Sequence, residues 1–306
     1  MTTAQLSAPT AAKRLRTLPR IGVVVLTQGT RPDDLAAGLA AVLAQRDVLL
    51  DVVVVGNGWE PTGLPEGVRG VALAHNLGIP AGRNAGAPYV EGDLLFFLDD
   101  DARPATTDYL ARAAALFDAE PRLGLIHPRV DATTGAAPAR WIPRVRKGDP
   151  HRSSPAFVLW EGGSVIRREV FDSVGGWPEL YRYAHEGIEF TWRIWDAGYQ
   201  AWYVGHLACV HPPIDPARHD TYLRFNARHR VWTARRNLRW PFTGLYVATW
   251  TLVQVLRSVR REQDRATLRP WFAGWREGWQ VDPGGRQPLR WSTIWTMTRL
   301  GRPPVV

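Results

Sequence analysis

The chain has 306 residues, with 38 basic and 29 acidic side chains and a net charge of +9 at pH 7. Its 45% hydrophobic and 22% charged residues are usual for globular proteins, which excludes wholesale disorder, collagen and a coiled-coil rod. The single cysteine, Cys209, excludes an internal disulfide and a multi-cysteine zinc site and favours a reducing compartment.

The charge is distributed unevenly along the chain. Residues 1–20 carry +4, residues 21–211 carry −6 and residues 212–306 carry +11, and eight of the 15 tryptophans lie in the last segment. Residues 1–20 lack the apolar stretch of a signal peptide, so we expect them to form a disordered basic lead. The sequence thus predicts an acidic body followed by a basic, Trp-rich extension.

Four short apolar runs, at 21–26, 51–55, 70–74 and 94–98, predict strands, and the β-branched run at 21–26 is of the fully buried kind. Between the first two, residues 33–44 repeat apolar side chains at helical spacing. Buried strands that alternate with helices are typical of an α/β fold with a mostly parallel sheet and helices on both faces.

The pattern changes after residue 101. Residues 108–117 predict a helix and 123–126 a short strand, and a Pro/Arg/Gly-rich loop is expected at 132–155. We expect the core to be completed by an apolar run at 157–166, a helix at 168–174 and a strand at 202–210. Beyond residue 212 the strands give way to helices.

Polar side chains follow three of the predicted strands: Thr27 the first, Asn57 the second, and Asp99, Asp100 and Asp101 the fourth. Ligands of open parallel sheets bind at the carboxyl ends of strands, so we expect the site there. Three adjacent carboxylates repel one another and suit Mg²⁺ or Mn²⁺, which take substrate phosphates as further ligands. The alternative for the aspartates is a solvated turn or a helix cap.

Three other segments are candidates for chemistry. The glycine-rich stretch 75–86 contains Arg83, whose guanidinium can bind phosphate, although this is otherwise an ordinary loop. Glu186 and Glu189 share one face of a predicted short helix, where one of them is a candidate general base; the alternative is that both complement the helix dipole. His211 ends the last core strand and is either a structural residue or a ligand.

The order and spacing of these segments resemble family 2 glycosyltransferases, and in particular bacterial rhamnosyl- and galactofuranosyl-type transferases of cell-surface glycans. The resemblance covers about residues 20–212. It implies a GT-A fold, with a Rossmann-like, mostly parallel sheet over 21–212, a nucleotide-binding half (21–101) and an acceptor half (102–212). The motifs that carry it are Thr27, Asn57, Asn76-x-Gly78, Gly82-Arg83-Asn84-x-Gly86, Leu98-Asp99-Asp100-Asp101, Gly175-Gly176-Trp177, Glu186-x-x-Glu189, Arg193, Gly198-Tyr199 and Val210-His211.

The resemblance also implies roles for individual residues, with Mg²⁺ or Mn²⁺ as the cofactor. For the metal it implies Asp99, Asp101 and His211, with Asp101 as the direct ligand. For the nucleotide-sugar donor it implies Thr27, Asn57, Asn76, Arg83, Asn84, Asp99 and Asp100. For catalysis it implies Glu186 and Glu189, and for the acceptor Gly162, Gly163, Trp177 and His185.

Two positions depart from the family pattern. Many members have an aspartate after the second strand, and this chain has Asn57, which leaves the base of the nucleotide open. The usual Glu-Asp pair is Glu186-Gly187 here, so the general base must be Glu186 or the chain is impaired. The resemblance thus implies an inverting, metal-assisted transfer of a sugar from a nucleoside diphosphate to a hydroxyl, by a single displacement that needs no covalent nucleophile.

Two alternatives to this function remain. A sugar-phosphate nucleotidylyltransferase would have a glycine-rich phosphate loop directly after the first strand, and residues 26–30 are poor in glycine. A nucleotide-sugar-binding protein that has lost catalysis is motivated by Gly187.

The basic, Trp-rich segment 213–306 predicts contact with a membrane surface, because Trp and Arg suit the headgroup region. The alternative is that its charges are simply solvated. Its longest uncharged run, residues 240–256, is too short and polar to span a bilayer. No nucleic-acid-reading motif accompanies the charge, so nucleic acid is not an expected partner. The sequence therefore predicts a cytoplasmic protein, peripheral on the inner face of the cell membrane, with a glycan or polyprenyl-linked acceptor; it leaves the sugar, the acceptor and the oligomeric state open.

Overall fold

The computed structural model describes residues 18–135, 142, 148–213, 221–260 and 266–304. Most of the predicted basic lead and the middle of the predicted loop 132–155 lie outside the described residues. The described part is a mixed α/β fold followed by helices, which confirms the predicted fold class.

The first half is a parallel sheet, as its apolar runs predict. β1 lies between β2 and β4, and β3 joins the outer edge of β2, all in parallel register. Each run forms a strand because its side chains are buried on both faces of the sheet. The elements of this half are β1 (Arg20–Thr27), α1 (Pro32–Leu43), β2 (Leu49–Asn57), β3 (Val68–Leu73), α2 (Ile79–Gly86) and β4 (Leu94–Asp99).

Strand β4 illustrates the two-sided burial. Phe96 and Leu98 pack on one face of the sheet with α1 and the helix at 109–119, whereas Leu95 and Phe97 pack on the other face with side chains of the later helices. A strand covered on both sides must be apolar along its whole length. Asp99, at its carboxyl end, is the first residue of the strand that leaves this core.

The second half makes the sheet mixed. Within the described residues the nine-stranded sheet has the order β3-β2-β1-β4-β8-β6-β9-β5, with β7 on β9, and β8 runs antiparallel to both β4 and β6. The elements of this half are β5 (Arg103–Pro104), α3 (Tyr109–Ala119), β6 (Leu123–Ala132), β7 (Ser154–Pro155), β8 (Gly163–Arg167), α4 (Arg168–Ser173), α5 (Glu186–Asp196) and β9 (Gln200–His211).

Two segments differ from the sequence-based expectation. The apolar run at 157–166 is a strand only from Gly163 onward, and residues 157–162 approach the ends of β4 and β9 without strand pairing. The Gly-rich stretch is the helix α2 rather than a loop. A Cβ on Gly82 would lie 2.5 Å from Leu26 Cδ1, so this glycine lets α2 lie close against β1.

The chain beyond 220 forms helices, as predicted. The helix α6 packs against α8. The core between the C-terminal helices also includes Phe157 and Trp192, which belong to the preceding α/β part of the chain. Within the described ranges no helix combines the length and apolar character needed to cross a bilayer. These elements are α6 (Tyr222–Asn237), α7 (Phe242–Arg260), α8 (Leu268–Gln280) and α9 (Trp291–Arg299).

Candidate active site

A cavity of about 650 Å³ opens at the carboxyl ends of β1, β2 and β4, where the ends of parallel strands meet. The start of α5 and the end of β9 close its other side. We refer to it as the catalytic cavity. The predicted site residues that line it are Thr27, Asn57, Asn76, Arg83, Asp99, Asp100, Asp101, His185, Glu186 and His211.

The three aspartates that end β4 point to different partners. Asp99 Oδ1 accepts a hydrogen bond from Arg83 Nη2 at 2.5 Å, and Asp100 Oδ2 accepts one from Thr27 Oγ1 at 2.7 Å. Arg31 Nη1 lies 2.7 Å from Asp100 Oδ1 and 2.9 Å from Asp101 Oδ2. Cationic and hydroxyl donors thus compensate three carboxylates that would otherwise repel one another.

The pKa values of two of these carboxyls shift in opposite directions. Burial raises the pKa of Asp100, against the opposing effects of the Thr27 hydrogen bond and the Arg31 charge. Burial also works to raise the pKa of Asp101, but the hydrogen bond and charge of His211, together with Arg31, outweigh it and lower that pKa. Asp101 is therefore the better prepared of the two to be an anionic ligand near neutral pH.

Asp101 and His211 fit a divalent cation. Asp101 Oδ1 lies 3.2 Å from His211 Nε2, and the edge of the Trp160 ring packs against the imidazole. Neighbouring ligands of one octahedral ion are about 3 Å apart when each bond is about 2.1 Å, so carboxylate and imidazole can share an ion with little rearrangement. No group of three His, Cys, Asp or Glu side chains converges in the described ranges, so the other ligands would be phosphate oxygens and water.

Arg83 provides a second cationic group for an anion. Its side chain is 1% exposed, with the guanidinium carbon 5.1 Å from the centroid of the Trp177 ring. One nitrogen binds Asp99, and within the described chain Nε and Nη1 have no hydrogen-bond partner. A buried donor without a partner is costly, so these two donors are available to a phosphate in the cavity.

Asn57 holds the loop that carries Asn76. The Asn57 amide donates to Asn76 Oδ1 and to the carbonyl of Gly78, both at 3.1 Å, and its own oxygen accepts from the Leu77 amide at 2.8 Å. Asn76 in turn donates to Gln28 Oε1 at 2.9 Å. Two asparagines therefore shape the wall of the cavity beside β1 and β2.

Glu186 begins α5 and lines the cavity beside a residue that the sequence analysis did not single out, Glu161. A Cβ on Gly187 would lie 2.1 Å from Glu161 Oε1, so the carboxyl of Glu161 occupies the space that a side chain at position 187 would need. The backbone amide of Gly187 donates to this carboxyl. Gly187, the apparent defect in the motif, is therefore the position against which a second carboxylate packs.

Both glutamates have raised pKa values. Burial, followed by the charge of Glu161, raises the pKa of Glu186 to about 8, and burial raises the pKa of Glu161 to about 7 against the opposing charge of Arg83. Two close, buried carboxylates cannot both ionise cheaply, so the pair retains a proton near pH 7. Glu186 Oε2 has no hydrogen-bond partner among the described residues.

His185 precedes Glu186 and also lines the cavity. Its backbone is left-handed, with φ of 69°, and burial lowers the pKa of its imidazole well below the ordinary value, with Arg230 and His229 adding to the effect. The ring therefore stays neutral at physiological pH. Asn226 of α6 hydrogen-bonds to it, which links the start of α5 to the C-terminal helices.

The structure does not bring two of the predicted residues, Glu189 and Trp177, to the cavity. Glu189 is fully buried and pairs with Arg193 at 2.8 Å and with Arg236 at 3.4 Å, so its charge is used inside the protein. Trp177 is 1% exposed and packs against Phe97 and beneath Arg83. Both side chains therefore belong to the core next to the catalytic cavity and not to its wall.

Asn84, Gly162 and Gly163 also lie outside the cavity lining. Asn84 exchanges hydrogen bonds with the backbone of Trp177, at 2.8 and 2.9 Å, and fixes α2 to the following loop. A Cβ on Gly162 would lie 2.4 Å from Asp99 Oδ2, so this glycine makes room for that carboxylate. Gly163 pairs with Leu98 in the sheet. These residues therefore position the backbone and the Asp99 carboxylate, and they do not face an acceptor.

The residues that sequence reasoning missed are Glu161 and Arg31. Neither stands in a recognisable spacing, and each meets its partners only through long-range contacts. The one available signal for Glu161 is its place before Gly162-Gly163, where two small residues follow an acidic side chain at the start of a strand.

Comparison with known proteins identifies the family of this chain. Residues 23–175, half of the chain, match the family described as glycosyl transferase family 2. The chain therefore belongs to glycosyltransferase family 2, and it is a glycosyltransferase.

A curated relative gives a more specific likeness. The N-acetylglucosaminyl-diphospho-decaprenol L-rhamnosyltransferase of Mycobacterium tuberculosis is 29% identical over 227 residues, which cover 62% of this chain and 72% of the relative.

Solved structures share the fold at low sequence identity. The mannosyltransferase PcManGT from Pyrobaculum calidifontis, in complex with GDP-Man and Mn²⁺, matches with a TM-score of 0.55 and 16% identity, over 94% of this chain and 78% of that one. S. aureus TarS in complex with UDP-GlcNAc matches with a TM-score of 0.57 and 14% identity, over 85% and 81%. The GT-A fold implied by the sequence is thereby confirmed.

Proposed function

We propose that the protein is an inverting transferase that moves L-rhamnose from a nucleoside diphosphate to a hydroxyl of a glycan linked through diphosphate to a polyprenyl lipid. The observation that carries the proposal is the catalytic cavity, in which an Asp101–His211 pair and the free donors of Arg83 lie together with the carboxyl of Glu186. The activity of the mycobacterial relative supports the choice of sugar and acceptor.

On the donor side, the protein must stabilise the negative charge of the leaving group. Breaking the bond from sugar to phosphate leaves a nucleoside diphosphate on which negative charge grows. Arg83 Nε and Nη1, held in a buried position over Trp177, can donate to that diphosphate as it forms. A divalent cation held by Asp101 and His211 would supply further neutralisation of this charge.

The acceptor side requires removal of a proton. Glu186 Oε2, which has no partner in the described chain, is the atom that would take the proton from the attacking hydroxyl. Glu161, buried beside it, raises the pKa of Glu186, which makes the ionised Glu186 a stronger base for this proton. With the base on the face opposite the leaving diphosphate, one displacement inverts the anomeric carbon.

A screen of nucleotide sugars tests the proposal. We expect nucleotide-linked rhamnose to raise the melting temperature more with Mn²⁺ than without it, since stabilisation follows affinity. Transfer to a lipid-diphosphate-linked N-acetylglucosamine should then give a product with inverted anomeric configuration, measured by NMR coupling. Donor binding without transfer or hydrolysis over a broad acceptor panel would favour the non-catalytic binding protein, and pyrophosphate release from a nucleoside triphosphate would favour the nucleotidylyltransferase.

Moving the carboxyl from position 161 to position 187 tests the pairing of the two glutamates. We expect Glu161→Ala to lower kcat about 100-fold, within the usual range for an acid–base group. A Cβ at position 187 would enter the space vacated by Glu161 and would lie 2.9 Å from the carbonyl oxygen of Leu159, which must shift slightly to admit any side chain there. The double variant E161A/G187D should therefore recover at least about tenfold of that loss.

The matched control for this exchange is E161A/G187A, which fills the space without a carboxyl. It should recover nothing. Equal recovery by the aspartate and alanine variants would assign Glu161 a purely structural role, and wild-type kcat in E161A alone would remove Glu161 from the mechanism.

We also propose that the protein binds peripherally to the inner face of the cell membrane. On α7, Leu245, Leu252 and Leu256 are exposed at spacings of seven and four residues, which puts them on one helix face. Trp291 and Trp295 of α9 are more than half exposed. Apolar and aromatic side chains beside a net positive segment are typical of a surface that lies on anionic lipid.

Vesicle sedimentation tests this membrane proposal. Binding to anionic liposomes should be strong at low salt and weaker at high salt, because screening removes the contribution of the arginines. Leu252→Glu should reduce binding several-fold, whereas Leu43→Glu, at an exposed position of α1, should not. Failure of the wild-type protein to sediment at low salt would contradict the proposal.

A further inference from the structure

A second cavity, of about 360 Å³, lies among α5, α6, α7, α8 and the chain after α9. We refer to it as the helical cavity. Most of its wall is apolar or aromatic, and none of the residues proposed above for the donor or the metal contributes to it. The aromatic side chains that line it are Phe157, Trp192, Tyr222, Tyr246, Trp250 and Trp271.

Three arginines, Arg230, Arg257 and Arg302, line this otherwise apolar wall, and no acidic side chain of the described chain does. The Arg230 guanidinium carbon lies 4.0 Å from the centroid of the Trp250 ring, and the guanidinium group hydrogen-bonds to the Tyr246 side chain. Arg302 Nε is buried without a hydrogen-bond partner among the described residues. Burial lowers the pKa of both arginines, and no carboxylate of the described residues offsets it.

Buried cations are normally paired, and leaving one without an anion is costly. Arg230 and Arg302 are partly buried, and Arg257 lines the same cavity from an exposed position. The three guanidinium groups together indicate an anionic ligand, and the planar donors of arginine match phosphate oxygens. The aromatic remainder of the wall requires that the same ligand also carry a sizeable apolar group. A prenyl diphosphate satisfies both requirements.

The helical cavity adjoins the catalytic cavity. Ile188, Tyr222 and Arg230 line both. Along α5, Glu186 faces the catalytic cavity, Ile188 lies at the junction and Trp192, one turn further, faces the helical cavity. A ligand that places its diphosphate at the arginines can therefore extend a sugar toward Glu186 while its lipid leaves between the helices.

We infer that the helical cavity binds the diphosphate and the first isoprene units of the acceptor, with Arg230, Arg257 and Arg302 holding the diphosphate. The inference rests on the proposed function, which it extends by assigning the acceptor a binding site. No such site was expected from the sequence, because the three arginines come from α6, from α7 and from the chain after α9.

The test measures binding of three probes to the full-length chain by calorimetry: farnesyl diphosphate, farnesol and inorganic pyrophosphate. We expect farnesyl diphosphate to bind most tightly, because it alone offers both the anion and the prenyl group. R257Q and R302Q should each weaken it about tenfold, and the double variant about 100-fold, while farnesol binding changes little. The matched control is R276Q, at an exposed arginine of α8 that lines neither cavity, and it should leave all three affinities unchanged.

Binding of a nucleoside diphosphate with Mn²⁺ reports on the catalytic cavity and should be the same in R257Q, R302Q and wild type, which also shows that the variants are folded. Equal affinity of the arginine variants and R276Q for farnesyl diphosphate would overturn the inference. So would pyrophosphate or farnesol binding as tightly as farnesyl diphosphate. If sugar transfer occurs and the arginine variants bind normally, the assigned site is wrong; if the arginine-dependent binding is found and no sugar is transferred, the proposed function is wrong and the site stands.

Discussion

Replacing Glu186 by glutamine should lower kcat about 10²–10⁴-fold while the affinity for the nucleotide-sugar donor stays within twofold. The amide keeps the size of the side chain and cannot take a proton from the acceptor hydroxyl. Because Glu186 Oε2 has no partner among the described residues, the substitution breaks no internal hydrogen bond of that atom. Steady-state kinetics with saturating acceptor, and calorimetry with the donor, separate these two effects.

The control for this substitution is Glu66→Gln, at an exposed position in the loop before β3. It makes the same replacement of a carboxyl by an amide and should leave kcat unchanged. Near-normal kcat in E186Q would move the general base to another group. A loss confined to donor affinity would give Glu186 a role in binding the nucleotide rather than in proton transfer.

Replacing Asp101 by alanine should abolish the metal dependence of donor binding. In the wild-type protein we expect Mn²⁺ to tighten binding of a nucleoside diphosphate about 100-fold over binding in chelator, which corresponds to about 3 kcal/mol. Asp101 meets both His211 and Arg31, and the pKa of its carboxyl is lowered, so its loss removes an anionic ligand from the site. The measurement is calorimetric titration with and without chelator.

Asp34→Asn, at an exposed position in the first turn of α1, is the matched control and should retain the full effect of Mn²⁺. His211→Gln should weaken the metal dependence less than D101A, because it leaves the carboxylate in place. If D101A binds the diphosphate as wild type does, in the presence and absence of chelator, the assignment of the metal to Asp101 is wrong. That Asp99 is also a ligand stays a prediction, since its carboxylate here contacts Arg83.

The two cavities differ in the charged groups that line them. The catalytic cavity holds its cationic and anionic groups in balance, with Arg31 and Arg83 opposite the aspartates. The helical cavity has cations without acids among its described residues. A donor that arrives with a metal ion suits the first, and an acceptor whose diphosphate carries no metal suits the second. The proposed function and the inferred acceptor site would thus give each diphosphate a distinct place on the protein.

The sequence alone determined the parallel half of the sheet and the edge at which its polar side chains meet. The apolar runs that became β1, β2 and β4 are local signals, because strands covered on both faces must be apolar throughout. The polar residues after them had to meet at one edge, since parallel strands end on the same side. The order of the motifs along the chain was also sufficient to predict the family.

Only the tertiary structure decided which partners the polar residues near this edge have. Gly187 looked like a defect until Glu161 was found against it, and that neighbour comes from a segment without regular structure whose path no local pattern encodes. Glu186 and Glu189 share a helix face in the sequence pattern. In the folded chain Glu189 is buried in an ion pair with Arg193, whereas Glu186 lines the catalytic cavity, and the spacing alone could not separate these two roles. The convergence of the three cavity arginines likewise depends on helix packing. Composition and periodicity fix which residues are buried, whereas the partner of each buried charge is a long-range contact that only the folded chain defines.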